Sequence, residues 1–243
     1  MSEAGRTNAP KLYLLDVEGT VAPLTLTSEL LFPYARTHLA DFLKQNLARP
    51  EVQDDLKLLA AENRVEESQV CPTFGIEIRN ELHARAYLTW LMDQDRKSTA
   101  LKSLQGKIWR SGFESGELKG TLFDDVPAAF QRWSQQGSVA IYSSGSTEAQ
   151  QLLFRHSTHG DLTPLIAGYF DTRIGAKGEP ASYRAISEAL QVAPAEVVFF
   201  SDAVRELDAA RDAGCQTRLV IREGNPSITA PHTHIAVESF AVL

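Results

Sequence analysis

The chain has 243 residues, 43% hydrophobic and 23% charged, which are the proportions of an ordinary globular protein and exclude a collagen-like, disordered or disulfide-stapled chain. Its net charge of -7 argues against a nucleic-acid partner, whose phosphates demand clustered Lys and Arg. Cys71 and Cys215 are its only cysteines, no apolar run reaches the ~18 residues of a membrane span, and MSEAGRTNAP lacks a secretory core, so reduced thiols, no membrane and a cytoplasmic location are expected.

One main domain with a sizeable insertion suits this length. In chain order, KLYLLD (11–16) is a short apolar run with Gly19 close behind, the pattern of a buried parallel strand. From about 28 to 115 the pattern changes. SELLFPYARTHLADFLKQNL, EVQDDLKLLAAEN, NELHARAYLTWLMDQD and TALKSLQGKIWRSGF carry apolar residues three and four apart, so the stretch is expected to be entirely helical, with Pro33 near a helix start. Within it the Gly-rich WRSGFESG (109–116) is expected to form a loop that closes over a ligand. Trp90, Trp109 and Trp133 fall in apolar helical patterns and read as core. DDVPAAFQRWSQQG (124–137) reads as a crossover helix stopped at Gly137. Three more strand-like runs follow: SVAIYS (138–143), VVFFSD (197–202) and TRLVIRE (217–223). Strands of this kind alternating with helices predict an α/β fold. It is a Rossmann-like parallel sheet core, residues 1–27 and 116–243, with an inserted helical cap domain, residues 28–115.

In open parallel sheets ligands bind at the carboxyl ends of the strands. Here those ends supply Asp16-Val17-Glu18-Gly19-Thr20, then Ser143-Ser144-Gly145-Ser146, then Ser201-Asp202 followed by Glu206 and Asp208, with Gly175-Ala176-Lys177-Gly178 between the last two. These are parts for phosphoryl transfer. Asp16 can attack a phosphate and carry it as an aspartyl-phosphate, splitting one difficult displacement into two. Asp16 and Asp202 offer two anionic oxygens to a hard cation, and magnesium suits one or two carboxylates plus a phosphate oxygen. The cation also screens Asp16 from the anionic substrate. Glu18 can protonate the leaving oxygen and then activate water. Ser143 and Ser144 precede a helix opened by Thr147-Glu148-Ala149-Gln150 as a capping box, whose N-terminus would hold phosphate oxygens. Lys177 supplies a compact positive charge for the phosphate. Singly, each has an ordinary explanation: a turn for Asp16, a loop for the serines, a solvated charge for Lys177, an N-cap for Asp202 ahead of AVRELDAARDAG with Gly214 as its stop. The ordered set is more specific than any member.

That order, Asp, Ser, Lys, Asp, resembles the haloacid dehalogenase-like hydrolase superfamily. More narrowly, LLDVEGT, LQGKIWRSGFESGELKGTLFDDVPAAF, IYSSGSTEAQQLLF, YFDTRIGAKGEPASY and FFSDAVRELDAARDAG resemble the enolase-phosphatase, or acireductone synthase, family of methionine salvage. The resemblance implies a magnesium-dependent enzyme that enolises and then dephosphorylates 2,3-diketo-5-methylthiopentyl-1-phosphate to 1,2-dihydroxy-3-keto-5-methylthiopentene. It implies Asp16 as nucleophile and metal ligand, Glu18 as acid/base and as metal ligand through its backbone carbonyl, and Asp202 as metal ligand. Ser143, Ser144 and Lys177 would contact the phosphate, Lys177 also serving catalysis. Glu206 would be the second acid of the fourth motif, orienting metal waters or Lys177, although Asp208 is an alternative support. Most phosphatases of the superfamily carry Asp where this chain has Glu18, and the longer side chain matches the enolase-phosphatases. The base for enolisation is unmarked, with Glu18 and Lys177 the nearest candidates.

Two rival readings are another magnesium-dependent phosphatase of the same superfamily and a non-enzymatic phospho-acceptor module. Glu18 and the long motifs oppose the first. Chain order opposes the second, because receiver modules place their acidic metal ligands on the first strand and the phosphorylated Asp on a later one. His156 and His159, in an expected helical stretch, and the alternating His232 and His234 lack a third ligand for a first-row metal. The expected partner is a small-molecule phosphate ester, with no nucleic acid and no membrane, and the chain is expected to be a monomer.

Overall fold

The computed structural model describes residues 9–229 and 231–242. Its elements in chain order are β1 (Leu12–Leu15), α1 (Phe32–Asn46), α2 (Pro50–Arg64), α3 (Glu81–Asp93), α4 (Thr99–Ser115), α5 (Val126–Gln136) and β2 (Ser138–Tyr142). Then come α6 (Thr147–Arg155), β3 (Gly168–Phe170), α7 (Pro180–Ala189), β4 (Val197–Ser201), α8 (Val204–Asp212), β5 (Gln216–Val220) and β6 (Ile235–Val237). They divide into two compact units, one made of the chain up to Leu26 and from Lys119 onward, the other of Thr27–Leu118.

The first unit is a parallel sheet in the order β3-β2-β1-β4-β5-β6. β1 is central, with Leu15 in register with Ile141 on one side and Phe200 on the other. All four of its residues are buried, as expected of a strand whose two faces are both covered. Leu12 and Leu14 join Tyr142, Tyr183, Ile186, Phe199 and Leu207 in one core. Tyr13 turns to the opposite face, stacking on Trp133 at 4.9 Å, and Trp133 in turn packs on Phe130, Phe200 and Phe240. This alternation fixes which way each strand end points.

Among the described residues the sheet has six strands where four were expected. β3 and β6 are three residues each at the sheet edges, one opened by a glycine and the other with Ile235 exposed, so neither leaves a buried apolar run. Gly137 does end α5, but its backbone is extended (φ -173°) rather than left-handed. Glycine is needed there because a Cβ would lie 2.4 Å from Lys11 O, the carbonyl that receives Ser138 N as β2 starts beside β1. α6 ends at Arg155, so His156 and His159 are not on a helix. His234 has one ring nitrogen 2.8 Å from Thr217 Oγ1 and the other 3.2 Å from Asp208 Oδ1.

In the second unit α4 packs on α1 and α2, and α1 and α2 each pack on α3. Pro33 sits in the first turn of α1, where its missing N–H costs nothing. The insertion is not wholly helical. Residues 65–80 are irregular and gather around buried Asn63, which donates to Ile76 O (2.7 Å) and accepts from Thr73 Oγ1 (2.6 Å). Nor is WRSGFESG a loop, since α4 runs through Ser115 to a left-handed Gly116. Gly112 is tolerated inside that helix because the Tyr34 ring packs on it, leaving no room for a Cβ. All three tryptophans are buried, and both cysteines are buried and free. Among the described residues no helix is long and apolar enough to cross a membrane.

Candidate active site

Asp16 is the first residue past β1, its N–H donating to Phe200 O at 3.0 Å. Beyond it the chain turns sharply: Val17 O accepts from Thr20, Val21 and Ala22, and Gly19 N donates to Ala22 O at 2.8 Å. The turn forces Gly19 to φ +71° and presses its backbone against the end of β4, where a Cβ would lie 2.3 Å from Asp202 Oδ2. Only glycine meets both demands.

Lys177 enters from the loop ahead of α7, and side chains hold three successive carbonyls of that loop. Tyr142 Oη donates to Gly175 O (2.9 Å), Ser182 Oγ to Ala176 O (2.7 Å) and Tyr183 Oη to Lys177 O (2.7 Å). The ammonium is thereby placed 2.6 Å from Asp16 Oδ1 and 2.6 Å from Glu206 Oε2. Ser201 Oγ donates to the same Glu206 oxygen at 2.9 Å.

Burial alone would lower the pKa of Lys177, but Asp16 and Glu206 outweigh it and raise it, so the side chain holds its proton. Glu206 is pushed up by burial and then by Asp16, which Lys177 offsets only in part. Burial, then Asp16 and Glu206, push Asp202 up to about 6. Three carboxylates thus crowd one ammonium, an excess of negative charge that a divalent cation would balance. Among the described residues no group of three or more His, Cys, Asp or Glu is arranged to hold a metal by side chains alone. One or two carboxylates, completed by water and phosphate oxygens, is instead the way magnesium is usually held, and the carboxylates of Asp16 and Asp202 fit that requirement.

The structure therefore brings Asp16, Lys177, Glu206 and Asp202 together. Glu18 is half-buried in the turn after Asp16. Ser143 and Ser144 stand at the end of the neighbouring strand, Ser143 buried with its Oγ accepting from Gly145 N (3.2 Å), Ser144 exposed. The cap of α6 is Ser146, one residue earlier than expected, its Oγ accepting from Ala149 N at 3.2 Å. Gln150 bonds Gly145 O and Phe170 O instead of closing a capping box. The chain's own Asp171, just past β3, accepts from Thr147 N at this helix start and from Arg173. Asp202 is not an N-cap, since Ala203 holds that position in α8. Asp208 turns away to Arg211 and His234, which leaves Glu206 as the acid beside Lys177. Three residues were missed in the sequence. Asp171 lies behind a strand too short to recognise, Arg222 falls inside the run TRLVIRE that reads as strand although β5 ends at Val220, and Asn225 follows Gly224 in what reads as a plain turn; these two reach back to Thr20 and Gly19.

The family model for haloacid dehalogenase-like hydrolases matches residues 10–214. Enolase-phosphatase E1 of Synechococcus elongatus is 54% identical over 216 residues, covering 88% of this chain and 90% of that protein. Enolase-phosphatase E1 of Drosophila mojavensis is 43% identical over 232 residues, covering 92% of this chain and 90% of that protein. Among solved structures, the UTR4 protein of Saccharomyces cerevisiae matches with a TM-score of 0.80 at 32% identity, over 96% of this chain and 100% of that one. The chain belongs to the enolase-phosphatase family, within the haloacid dehalogenase-like hydrolases.

Proposed function

We propose that this protein is the enolase-phosphatase of methionine salvage, converting 2,3-diketo-5-methylthiopentyl-1-phosphate to 1,2-dihydroxy-3-keto-5-methylthiopentene and phosphate. Its relatives are named enolase-phosphatase E1. The observation that carries the chemistry is Lys177, fixed between Asp16 and Glu206 at the carboxyl end of a parallel sheet, with Asp202 on the adjacent strand end. Asp16, Asp202 and the backbone carbonyl of Glu18 would hold magnesium. Bound there, magnesium neutralises charge between the carboxylates and the phosphate and polarises a phosphate oxygen.

The residues divide the work as follows. In the enolase step a proton leaves the carbon beside a carbonyl and one is returned to the carbonyl oxygen, so the substrate is isomerised with no net change in atoms. Lys177, kept protonated by two carboxylates, cannot take the proton, which leaves Glu18 as the base; the ammonium stabilises the enolate oxygen, which takes its proton from solvent. In the phosphatase step Oδ1 of Asp16 is engaged by Lys177 and Oδ2 attacks phosphorus. The bond from phosphorus to the ester oxygen breaks, and that oxygen takes a proton from Glu18. Glu18 then takes a proton from water, whose oxygen attacks the phosphorus of the aspartyl-phosphate and frees phosphate and Asp16. Ser143, Ser144 and Lys177 hold the phosphate oxygens. The same proposal includes a core of residues 1–27 and 116–243, a cap of 28–115 that selects the alkylthio end, and a cytoplasmic monomer.

The test is an assay with the diketone phosphate and magnesium that follows the enol optically and phosphate chemically. An enol signal preceding phosphate release is expected. Phosphate release with no enol signal at any magnesium concentration would leave only a phosphatase.

A further inference from the structure

Asn225 lies 206 residues along the chain from Gly19, yet its Nδ2 donates to Gly19 O at 2.9 Å and to Asp202 Oδ2 at 3.3 Å. Both neighbours are acceptors, so only the donor end of the amide can face them. Among the described residues its buried Oδ1 has no hydrogen-bond partner, as befits a side chain placed for its donor end. Asp202 Oδ2 is thus held by an amide from the loop after β5 and lies against the Gly19 backbone. The turn itself has a second anchor, Arg222, whose Nε donates to Thr20 O at 3.1 Å.

We propose that Asn225 is a positioning residue that fixes the Asp202 carboxylate against the turn after Asp16 and so sets the site's affinity for magnesium. The inference rests on Asp202 being a cation ligand. A carboxylate free to rotate must be ordered when the cation arrives, whereas one already held by a neutral donor is not, and outer partners of this kind are typically worth roughly 10–100-fold in metal affinity. A neutral amide orients the carboxylate without cancelling its charge, as a lysine would.

The experiment titrates the full chain with magnesium alone by calorimetry, for the wild type and for Asn225→Ala, Asn225→Leu and Asp202→Asn, with thermal unfolding in EDTA alongside. Because Arg222 still holds Thr20, Asn225→Ala is expected to unfold within a few degrees of the wild type in EDTA while its magnesium dissociation constant rises roughly 10–100-fold. At saturating magnesium its KM is expected to stay near the wild-type value. Asn225→Leu keeps the branched shape of the side chain without its donor and carries the same expectation should the alanine variant not fold. A folded Asn225 variant that binds magnesium within about twofold of the wild type, while Asp202→Asn binds weakly, overturns the positioning role alone. Unchanged binding in Asp202→Asn overturns the ligand reading and the inference with it.

Discussion

Lys177 Nζ lies 2.6 Å from Asp16 Oδ1, in a loop whose carbonyls are pinned one after another by Tyr142, Ser182 and Tyr183. The same nitrogen serves Glu206, so one cation holds two carboxylates that would otherwise repel each other. Lys177→Met therefore leaves both buried without a counter-charge. Stability in EDTA is expected to fall by about 3–5 kcal/mol, read by urea denaturation. The rate of phosphate release is expected to fall on the order of 10²–10³-fold. Lys177→Arg is not expected to restore it, because a planar guanidinium does not fill the place of a compact ammonium. A methionine variant with at least half of wild-type activity would refute the assignment.

Asp16→Asn removes the attacking oxygen and keeps the shape of the side chain. Phosphate release is expected to fall by roughly 10⁴–10⁶ while enol absorbance still builds, because proton transfer at carbon does not use the nucleophile. Simultaneous loss of both signals would show that the two steps share Asp16.

Gly19→Ala should harm activity more than stability. The left-handed backbone costs an ordinary residue roughly 1–3 kcal/mol, and the new methyl cannot occupy its place unless Asp202 moves. The expected outcome is a modest fall in the melting temperature together with a rise in the magnesium concentration needed for half-maximal rate. An unchanged magnesium requirement would mean that Asp202 is free to step aside.

Arg222 and Asp125 give the fold a pH dependence. The guanidinium lies between the Phe123 and Phe240 rings at 4.4 and 4.5 Å and donates to both oxygens of Asp125 at 2.8 and 3.0 Å. Burial alone would raise the pKa of Asp125, yet hydrogen bonds from Arg222, Phe240 N and Ser239 outweigh it and hold the carboxyl below its usual value. A depressed native pKa means that the unfolded state binds the proton more readily, so this stabilisation is complete above the unfolded value of about 3.9 and is lost as pH falls through the native one. Urea midpoints of the wild type should decline with acidification below about pH 4, and Asp125→Asn should remove that part of the slope. Parallel profiles for the two proteins would exclude Asp125 as the source.

β1, β2, β4 and β5 were legible because strands buried in a parallel sheet leave short apolar runs, and the residues just beyond two of those runs, Asp16 and Asp202, are among those that meet at the site. Asp16 and Asp202 follow from that rule alone. The edge strands β3 and β6 were not legible, since a three-residue strand buries too little to imprint a pattern. The choice of Glu206 over Asp208 also waited for the structure. The two are only two residues apart in α8, and the turn of the helix sends one to Lys177 and the other to His234.

The sequence by itself determined the strand ends and the kinds of side chain found there, because local periodicity and residue chemistry are written in neighbouring positions. Only the tertiary structure decided how those side chains are held. Lys177 is placed by hydroxyls of Tyr142 and Tyr183, Thr20 by Arg222 at a separation of 202 residues, and Asp202 by Asn225. Hydrogen bonds between such distant residues exist only once the sheet has closed, and no local pattern encodes them.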